Sequence, residues 1–163
     1  MSRTILPLQH DSFAPYGTVL NPRQCGESVN SPGEPVQFYP DRMLQLFSTT
    51  NLIAISPILI KPRPFEITGT EQHLDTEEVI GGFDQDVCFH VGRDLGGKPD
   101  FEDFKVFLLP KGWWVRIKRK VWHQAPFVLN QESAVGTVIL PAHTFTNDCY
   151  EVGLQQPITI VRS

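Results

Sequence analysis

Short apolar runs, separated by turn residues, divide most of the chain into segments of strand length. Many of these runs are rich in β-branched and aromatic residues, which is typical of β-strands. They cover residues 52–60, 77–83, 86–92, 104–110, 113–119, 125–129 and 134–140. Glycine, proline and polar clusters such as "DLGGKPD" and "NQES" lie between them and indicate turns.

Helical periodicity is scarce in this sequence. Residues 8–17, "LQHDSFAPYG", favour one short helix near residues 8–15, and residues 100–104 favour a single turn. Many short strands at near-regular spacing predict an all-β fold, an antiparallel β-barrel or sandwich whose strands run from about residue 35. A length of 163 residues suits a single domain that spans 1–163.

Composition and charge narrow the function classes. The formal net charge is −4, which argues against a nucleic-acid partner. We find neither an apolar run near the roughly 20 residues of a membrane helix nor a signal-peptide core. The three cysteines are far apart and form no CxxC pair, so we expect neither a disulfide framework nor a cysteine zinc site. A cytoplasmic location fits this pattern best.

The stretch "TGTEQHLDTEEV", residues 68–79, carries the first group of candidate functional residues. Glu71 and His73 are two residues apart, so they share one face if the segment is a strand. Glu77 and Glu78 follow at the start of the next apolar strand. As an alternative, these two glutamates are solvated turn residues.

The stretch "KRKVWHQAPF", residues 118–127, adds His123 from a distant strand. Two imidazoles and one carboxylate form a plausible ligand set for a divalent metal such as Ni, Zn, Mn or Fe(II). Three protein ligands would leave positions open for water or substrate. The alternative is a hydrogen-bonded structural histidine, which is the more common role of a histidine in a strand.

Trp114, Arg116 and Lys118 alternate along one face of the predicted strand 113–119. If that face lines the mouth of the barrel, Arg116 and Lys118 would bind the carboxylate of a substrate. If the face points outward, both side chains are solvated charges.

The two histidine-containing stretches resemble the half-motifs of the cupin barrel. A wider resemblance, to the ureidoglycolate lyase (ureidoglycolate hydrolase) family, comes from "LPLQHDSFAPYGTVL", "NSPG", "EQH", "KVWHQAPF" and "NDCYEV", which occur in the family's order. It implies a cupin-like barrel of the jelly-roll type with one short N-terminal helix, and a homodimer. It also implies an enzyme that splits ureidoglycolate into glyoxylate and urea in allantoin and purine catabolism, with nickel associated with some members.

Carried onto this chain, the resemblance implies metal ligands at His73, Glu77 or Glu78, and His123. Glu71 stands where many cupins have a first histidine, and we expect it to bind the substrate or the metal. The catalytic acid and base of this carbon–nitrogen lyase would be Glu78 and Lys118, in an order that the sequence leaves open.

Several positions depart from the family pattern: Lys118 and Gln124 replace histidines, Lys120 replaces a small residue, and "LPAH" at 140–143 replaces an Asp-Arg pair. These departures motivate two further hypotheses. One is a metal-dependent cupin enzyme that acts on another small acid or sugar, and the other is a non-catalytic cupin that binds a small acid.

Overall fold

The computed structural model describes residues 1–162, and nearly all of its regular secondary structure is β-strand. Two one-turn helices are present, α1 (His10–Phe13) and α2 (Thr144–Asn147). The strands are β1 (Ser2–Pro7), β2 (Gly17–Leu20), β3 (Ile53–Ile60), β4 (Glu66–Gln72), β5 (Glu78–Gly81), β6 (Val87–Gly92), β7 (Lys105–Leu109), β8 (Trp114–Ile117), β9 (Trp122–His123), β10 (Phe127–Val128), β11 (Ala134–Pro141) and β12 (Tyr150–Val161).

The larger sheet closes on itself. Its strand order is β10-β6-β7-β1-β12-β4-β9, and an additional pairing of β6 with β9 joins six of these strands into a barrel. The smaller sheet has five strands in the order β2-β8-β5-β11-β3, all paired antiparallel. An all-β, cupin-like barrel is therefore confirmed.

The expectation of a purely antiparallel barrel is wrong in one respect. Strand β1 pairs parallel with both β12 and β7, so the barrel is mixed. Neither neighbour is joined to β1 by a hairpin, and hairpins are the connections that enforce antiparallel pairing.

Two apolar cores stabilise the molecule. The first lies between the closed barrel and the five-stranded sheet, where Phe13 of α1 meets Phe89 and Phe107 edge to face. Burial of each such ring contributes about 1.5–3 kcal/mol. The second core fills the inside of the barrel and includes Trp122 and Ile67. Alternate residues of one barrel strand therefore point into different cores.

The predicted segments match the structure unevenly along the chain. The predicted N-terminal helix is present as α1, and each predicted strand segment contains a strand. Strands β1 and β2 precede residue 35, where no strand was predicted, and β4, β12 and α2 were missed. No helix in the described part of the chain is long and apolar enough to cross a membrane.

Candidate metal centre and substrate pocket

Three buried side chains meet in the space between the barrel and the five-stranded sheet. His73 directly follows β4, Glu78 opens β5 and His123 ends β9. The Nε2 atoms of His73 and His123 lie 3.3 and 3.6 Å from the same Glu78 oxygen, Oε2. The two imidazole centroids are 5.2 Å apart. Strand pairing places them there, because Glu71 of β4 is paired with His123 and β5 belongs to the facing sheet.

Each imidazole is oriented by a main-chain carbonyl oxygen behind it. His73 Nδ1 lies 2.7 Å from the carbonyl oxygen of Asp148, and His123 Nδ1 lies 2.8 Å from that of Val121. A carbonyl oxygen only accepts hydrogen bonds, so both Nδ1 atoms carry a hydrogen and donate it. In the neutral rings, the lone pairs are then on the Nε2 atoms, which face Glu78. Hydrogen bonds of this kind fix metal-ligating histidines in other proteins.

The facing lone pairs require a positive charge between them. Glu78 is an acceptor, the two Nε2 atoms are acceptors in neutral rings, and His123 Nε2 has no hydrogen-bond partner among the described residues. Either a proton or a metal cation resolves this arrangement. The ring-to-carboxylate separations of 3.3 and 3.6 Å also fit ligands that share one ion with bonds of about 2.0–2.2 Å.

The pKa values of the cluster reflect the same electrostatics. Burial alone would raise the pKa of Glu78, but the neighbouring His123 and His73 outweigh it and lower this pKa to about 2. Burial would lower the pKa of His123, but the Glu78 carboxylate reverses the effect and raises it. In the metal-free protein, therefore, Glu78 is ionised and its charge favours the protonated form of His123.

A pocket of about 160 Å³ opens beside the cluster. Its polar lining residues are Glu71, His73, Glu78 and Cys149. The other lining residues are apolar: Ile58, Ile80, Ala125, Val138, Leu140 and Phe145. The Cys149 thiol lies 3.0 Å from Oε2 of Glu71 and donates to it. Phe145 lies on α2 and is 79% exposed. A space of this size holds a molecule of a few heavy atoms.

The structure brings together Glu71, His73, Glu78 and His123 of the predicted site residues. Glu77 points to the opposite face of the five-stranded sheet, where its carboxylate accepts from the main-chain N–H of Leu46 at 3.1 Å. Because neighbouring strand residues face opposite sides, Glu78 and Glu77 cannot both reach the cluster.

The two predicted cationic residues also lie elsewhere. Arg116 donates to the main-chain oxygen of Leu44 and to the Thr18 hydroxyl on the outer face of the same sheet. The Lys118 ammonium donates to the carbonyl oxygen of Ala14 at 2.6 Å, at the end of α1. The structure therefore brings neither residue to the pocket.

Two residues of the site were missed in the sequence. Asp148 is buried, and its carboxylate accepts from the main-chain N–H groups of Leu74 and Asp75 at 2.8 and 2.9 Å. Cys149 follows it in the stretch "NDCYEV". That stretch contributed to the family resemblance, but no spacing rule connects it to His73, which is 75 residues away.

Comparison with known proteins decides the family. The model of a family described as ureidoglycolate lyase matches residues 2–161 of the 163-residue chain. The chain belongs to the ureidoglycolate lyase family. None of the curated proteins compared with the chain matches it. Membership in the ureidoglycolate lyase family supports a lyase activity, and the match covers every residue of the metal cluster and the pocket.

The donor set suits a divalent metal. His73, Glu78 and His123 each offer one ligand atom, and these atoms lie within 4.8 Å of one another. Two imidazole nitrogens and one carboxylate oxygen match the preferences of several transition metals and of zinc. The buried Nε2 of His123, which lacks a partner among the described residues, is the feature that a bound ion would satisfy.

Proposed function

We propose that this protein splits ureidoglycolate into glyoxylate and urea at the pocket beside His73, Glu78 and His123. The observation that carries the proposal is the convergence of two oriented imidazoles on one buried carboxylate, in a chain of the ureidoglycolate lyase family. Both sheets contribute to this site, which supports treating the chain as one functional domain.

His73, Glu78 and His123 would hold the divalent metal, of a nickel or zinc type. When bound, such an ion supplies a Lewis acid for the carboxylate and hydroxyl oxygens of the substrate. The low pKa of Glu78 keeps this side chain ionised and suits a ligand better than a proton donor. The main-chain carbonyl groups of Asp148 and Val121 keep both Nε2 atoms directed at the same point.

The reaction needs one proton to leave the hydroxyl group and one to reach the departing urea nitrogen. As these transfers occur, the carbon–nitrogen bond breaks and the carbonyl of glyoxylate forms. Glu71 and Glu78 are the carboxylates that line the pocket, and both face its interior. The apolar side chains in the rest of the lining lower the local polarity, which strengthens the electrostatic interactions of both groups.

Metal analysis combined with an assay of glyoxylate release tests the proposal. We expect the purified protein to bind about one divalent ion per chain, and His123→Ala to lose both the ion and glyoxylate release. Lys118→Met is the matched control, because the Lys118 ammonium lies at the end of α1 rather than in the pocket. Loss of activity in Lys118→Met, or glyoxylate release by metal-free protein, would contradict this assignment.

The same assay separates the rival functions. Metal binding without glyoxylate release would favour a cupin enzyme with another substrate. Absence of metal binding and of turnover would favour a module that only binds a small acid.

We further propose that the protein is a cytoplasmic homodimer. All three cysteines are free, which supports a reducing compartment. Strand β3 is an edge of the five-stranded sheet and exposes the apolar side chains of Ile53, Ile55 and Leu59. An exposed, apolar edge strand is a surface that a second copy of the chain can cover.

A further inference from the structure

The pocket is lined by two polar groups of different chemistry. One is the cluster of His73, Glu78 and His123, which requires a positive charge at its centre. The other is Glu71, whose strand position is paired with His123 and whose Oε2 accepts the Cys149 thiol at 3.0 Å. The second oxygen of Glu71 makes no hydrogen bond to any described residue, so it keeps its full capacity to accept one.

The Cys149 thiol is held in its donating form. Burial and the hydrogen bond to Glu71 raise the pKa of Cys149 to about 12, so the thiol keeps its hydrogen at neutral pH. By donating to Oε2, the thiol orients the Glu71 carboxylate and leaves its second oxygen to accept another hydrogen bond. Cys149 therefore acts on Glu71 as a positioning residue.

No lysine or arginine lines the pocket in the described part of the chain. The nearest candidates in the sequence, Arg116 and Lys118, donate to main-chain carbonyl groups outside it. An anionic substrate group therefore has one favourable place, the cation site of the cluster. The same group placed beside Glu71 would meet another negative charge without compensation.

The proposed substrate also has two chemically different ends. One end is a hydroxy acid, with a negative charge. The other is a ureido group, whose nitrogens carry N–H donors, and a carboxylate is the strongest neutral-pH acceptor for such donors. The apolar side chains that line the rest of the pocket offer no competing hydrogen bonds.

We propose that Glu71, positioned by the Cys149 thiol, binds the N–H groups of the ureido end of the substrate and thereby fixes its orientation. This inference rests on the proposed function, since it assigns the residue that binds the ureido group of the same substrate. Glu71 then discriminates ureido acids from hydroxy acids of similar size, because only the former supply donors to it.

Binding of two stable probes to Ni²⁺-loaded protein tests the inference. Hydantoate (N-carbamoylglycine) carries the ureido group and a carboxylate, and glycolate carries the hydroxyl group and a carboxylate without the ureido group. In titration calorimetry, Glu71→Gln should weaken hydantoate binding about tenfold or more, as expected for loss of a hydrogen bond to a charged acceptor. Glycolate affinity and Ni²⁺ content should change less than about twofold.

Two further variants make the test specific. Glu66→Gln removes the same charge from an exposed residue at the opposite end of β4, which does not line the pocket. This control should bind both probes as the unmodified protein does. Cys149→Ala should weaken the binding of hydantoate but not that of glycolate. Cys149→Ser, which keeps a donor, should restore hydantoate binding.

Three results would overturn the inference: no hydantoate binding by the unmodified protein, equal affinity in Glu71→Gln, or parallel loss of hydantoate and glycolate. The last result would mean that Glu71 acts through the metal cluster. Failure of the proposed function has a different signature, namely selective hydantoate binding without any glyoxylate release from ureidoglycolate.

Discussion

His123 is supported by a chain of buried hydrogen bonds that reaches inside the barrel. The Thr70 hydroxyl donates to the main-chain oxygen of His123 at 3.1 Å, and His90 Nε2 lies 3.0 Å from the same hydroxyl oxygen. Because the hydroxyl hydrogen is used on the carbonyl group, His90 Nε2 must donate to Thr70. His90 is stacked on Phe104 with 5.1 Å between centroids, which holds the chain of hydrogen bonds in place.

Replacement of Thr70 tests whether this chain positions the metal ligand. Thr70→Val keeps the shape but leaves the His90 donor and the His123 carbonyl group without a partner, which costs about 1–3 kcal/mol. We expect metal affinity to fall about 10–100-fold, as for other residues that support metal ligands. Calorimetric titration with Zn²⁺ measures the effect.

Thr70→Ser is the matched control, because it restores the hydroxyl group. If Thr70→Val lowers the melting temperature but leaves metal affinity unchanged, Thr70 has a structural role alone.

His90 should make the metal-free protein sensitive to mild acid. Burial is the main cause that lowers its pKa to about 3, against about 6.5 in the unfolded chain. The folded state therefore binds fewer protons than the unfolded state below pH 6.5, and stability is lost as the pH falls. The slope approaches about 1.4 kcal/mol per pH unit.

Urea unfolding in EDTA between pH 6.5 and 4.5 measures this effect. Glu78, whose pKa is lowered from 4.5 to about 2, adds to the slope only toward the acid end of this window. His90→Gln, which keeps a donor for Thr70, should show a shallower slope. Equal slopes in the two proteins would show that His90 does not account for the sensitivity.

For individual residues, the sequence predicted which side chains share one face of a strand, and little beyond that. The two-residue spacing of Glu71 and His73 correctly placed both in one pocket, because alternation holds within a strand. The spacing could not decide whether Glu77 or Glu78 reaches the cluster, because a shift of one residue moves a side chain to the other face of the sheet. Lys118 followed the same alternation, but the packing of α1 determines its contact with Ala14.

At the level of secondary-structure elements, Asp148 links the connection between β4 and β5 to the connection between α2 and β12. Its carboxylate binds the turn after β4 through Leu74 and Asp75, and its carbonyl oxygen orients His73. Asp148 lies between α2 and β12, so one residue connects the mouth of the pocket to a metal ligand.

Asp148→Ala should loosen both connections. Loss of two hydrogen bonds to a charged acceptor predicts a decrease of about 2–3 kcal/mol in the free energy of unfolding. Because the main chain that holds His73 would also move, we expect weaker metal binding, measured by titration alongside thermal unfolding. Asp148→Asn keeps one acceptor oxygen, so its stability and metal affinity should lie between those of the unmodified protein and Asp148→Ala. Unchanged metal affinity in Asp148→Ala would contradict this connection.

The elements that were missed share a weak hydrophobic pattern. Strand β4, "EITGTEQ", contains mostly polar residues and a glycine, and β12 contains Pro157 and a register shift between Gly153 and Ile158. Their strand structure depends on pairing with each other, which is a tertiary interaction that local propensity does not report. Strands β6 and β7 were predictable because their sequences are strongly apolar and rich in β-branched and aromatic residues.

For the whole molecule, the exposed side of β3 is the main candidate for self-association. Ile53, Ile55 and Leu59 are 52%, 72% and 58% exposed, and Val135 of the neighbouring strand is 47% exposed. A contiguous apolar surface of this kind marks an interaction site more often than scattered apolar residues do.

Ile55→Glu should therefore convert the proposed dimer to a monomer in sedimentation velocity at micromolar concentration. A charge at the centre of an apolar interface costs several kcal/mol because it lacks a partner there. Leu95→Glu is a matched control at an equally exposed apolar residue, 63% exposed, in the turn after β6. A monomeric unmodified protein, or a dimeric Ile55→Glu, would contradict the assignment of this surface.

The position of β1 between β12 and β7 has a consequence for synthesis of the protein. Strand β1 is made first, but its partner β12 is made last, and parallel pairing over such a separation is slow to form. During translation, the barrel interior with Trp122 and Ile67 cannot be sealed before residues 150–161 leave the ribosome. The nascent chain thus exposes apolar strands until β12 has been made, a stage at which chaperones and competing aggregation act.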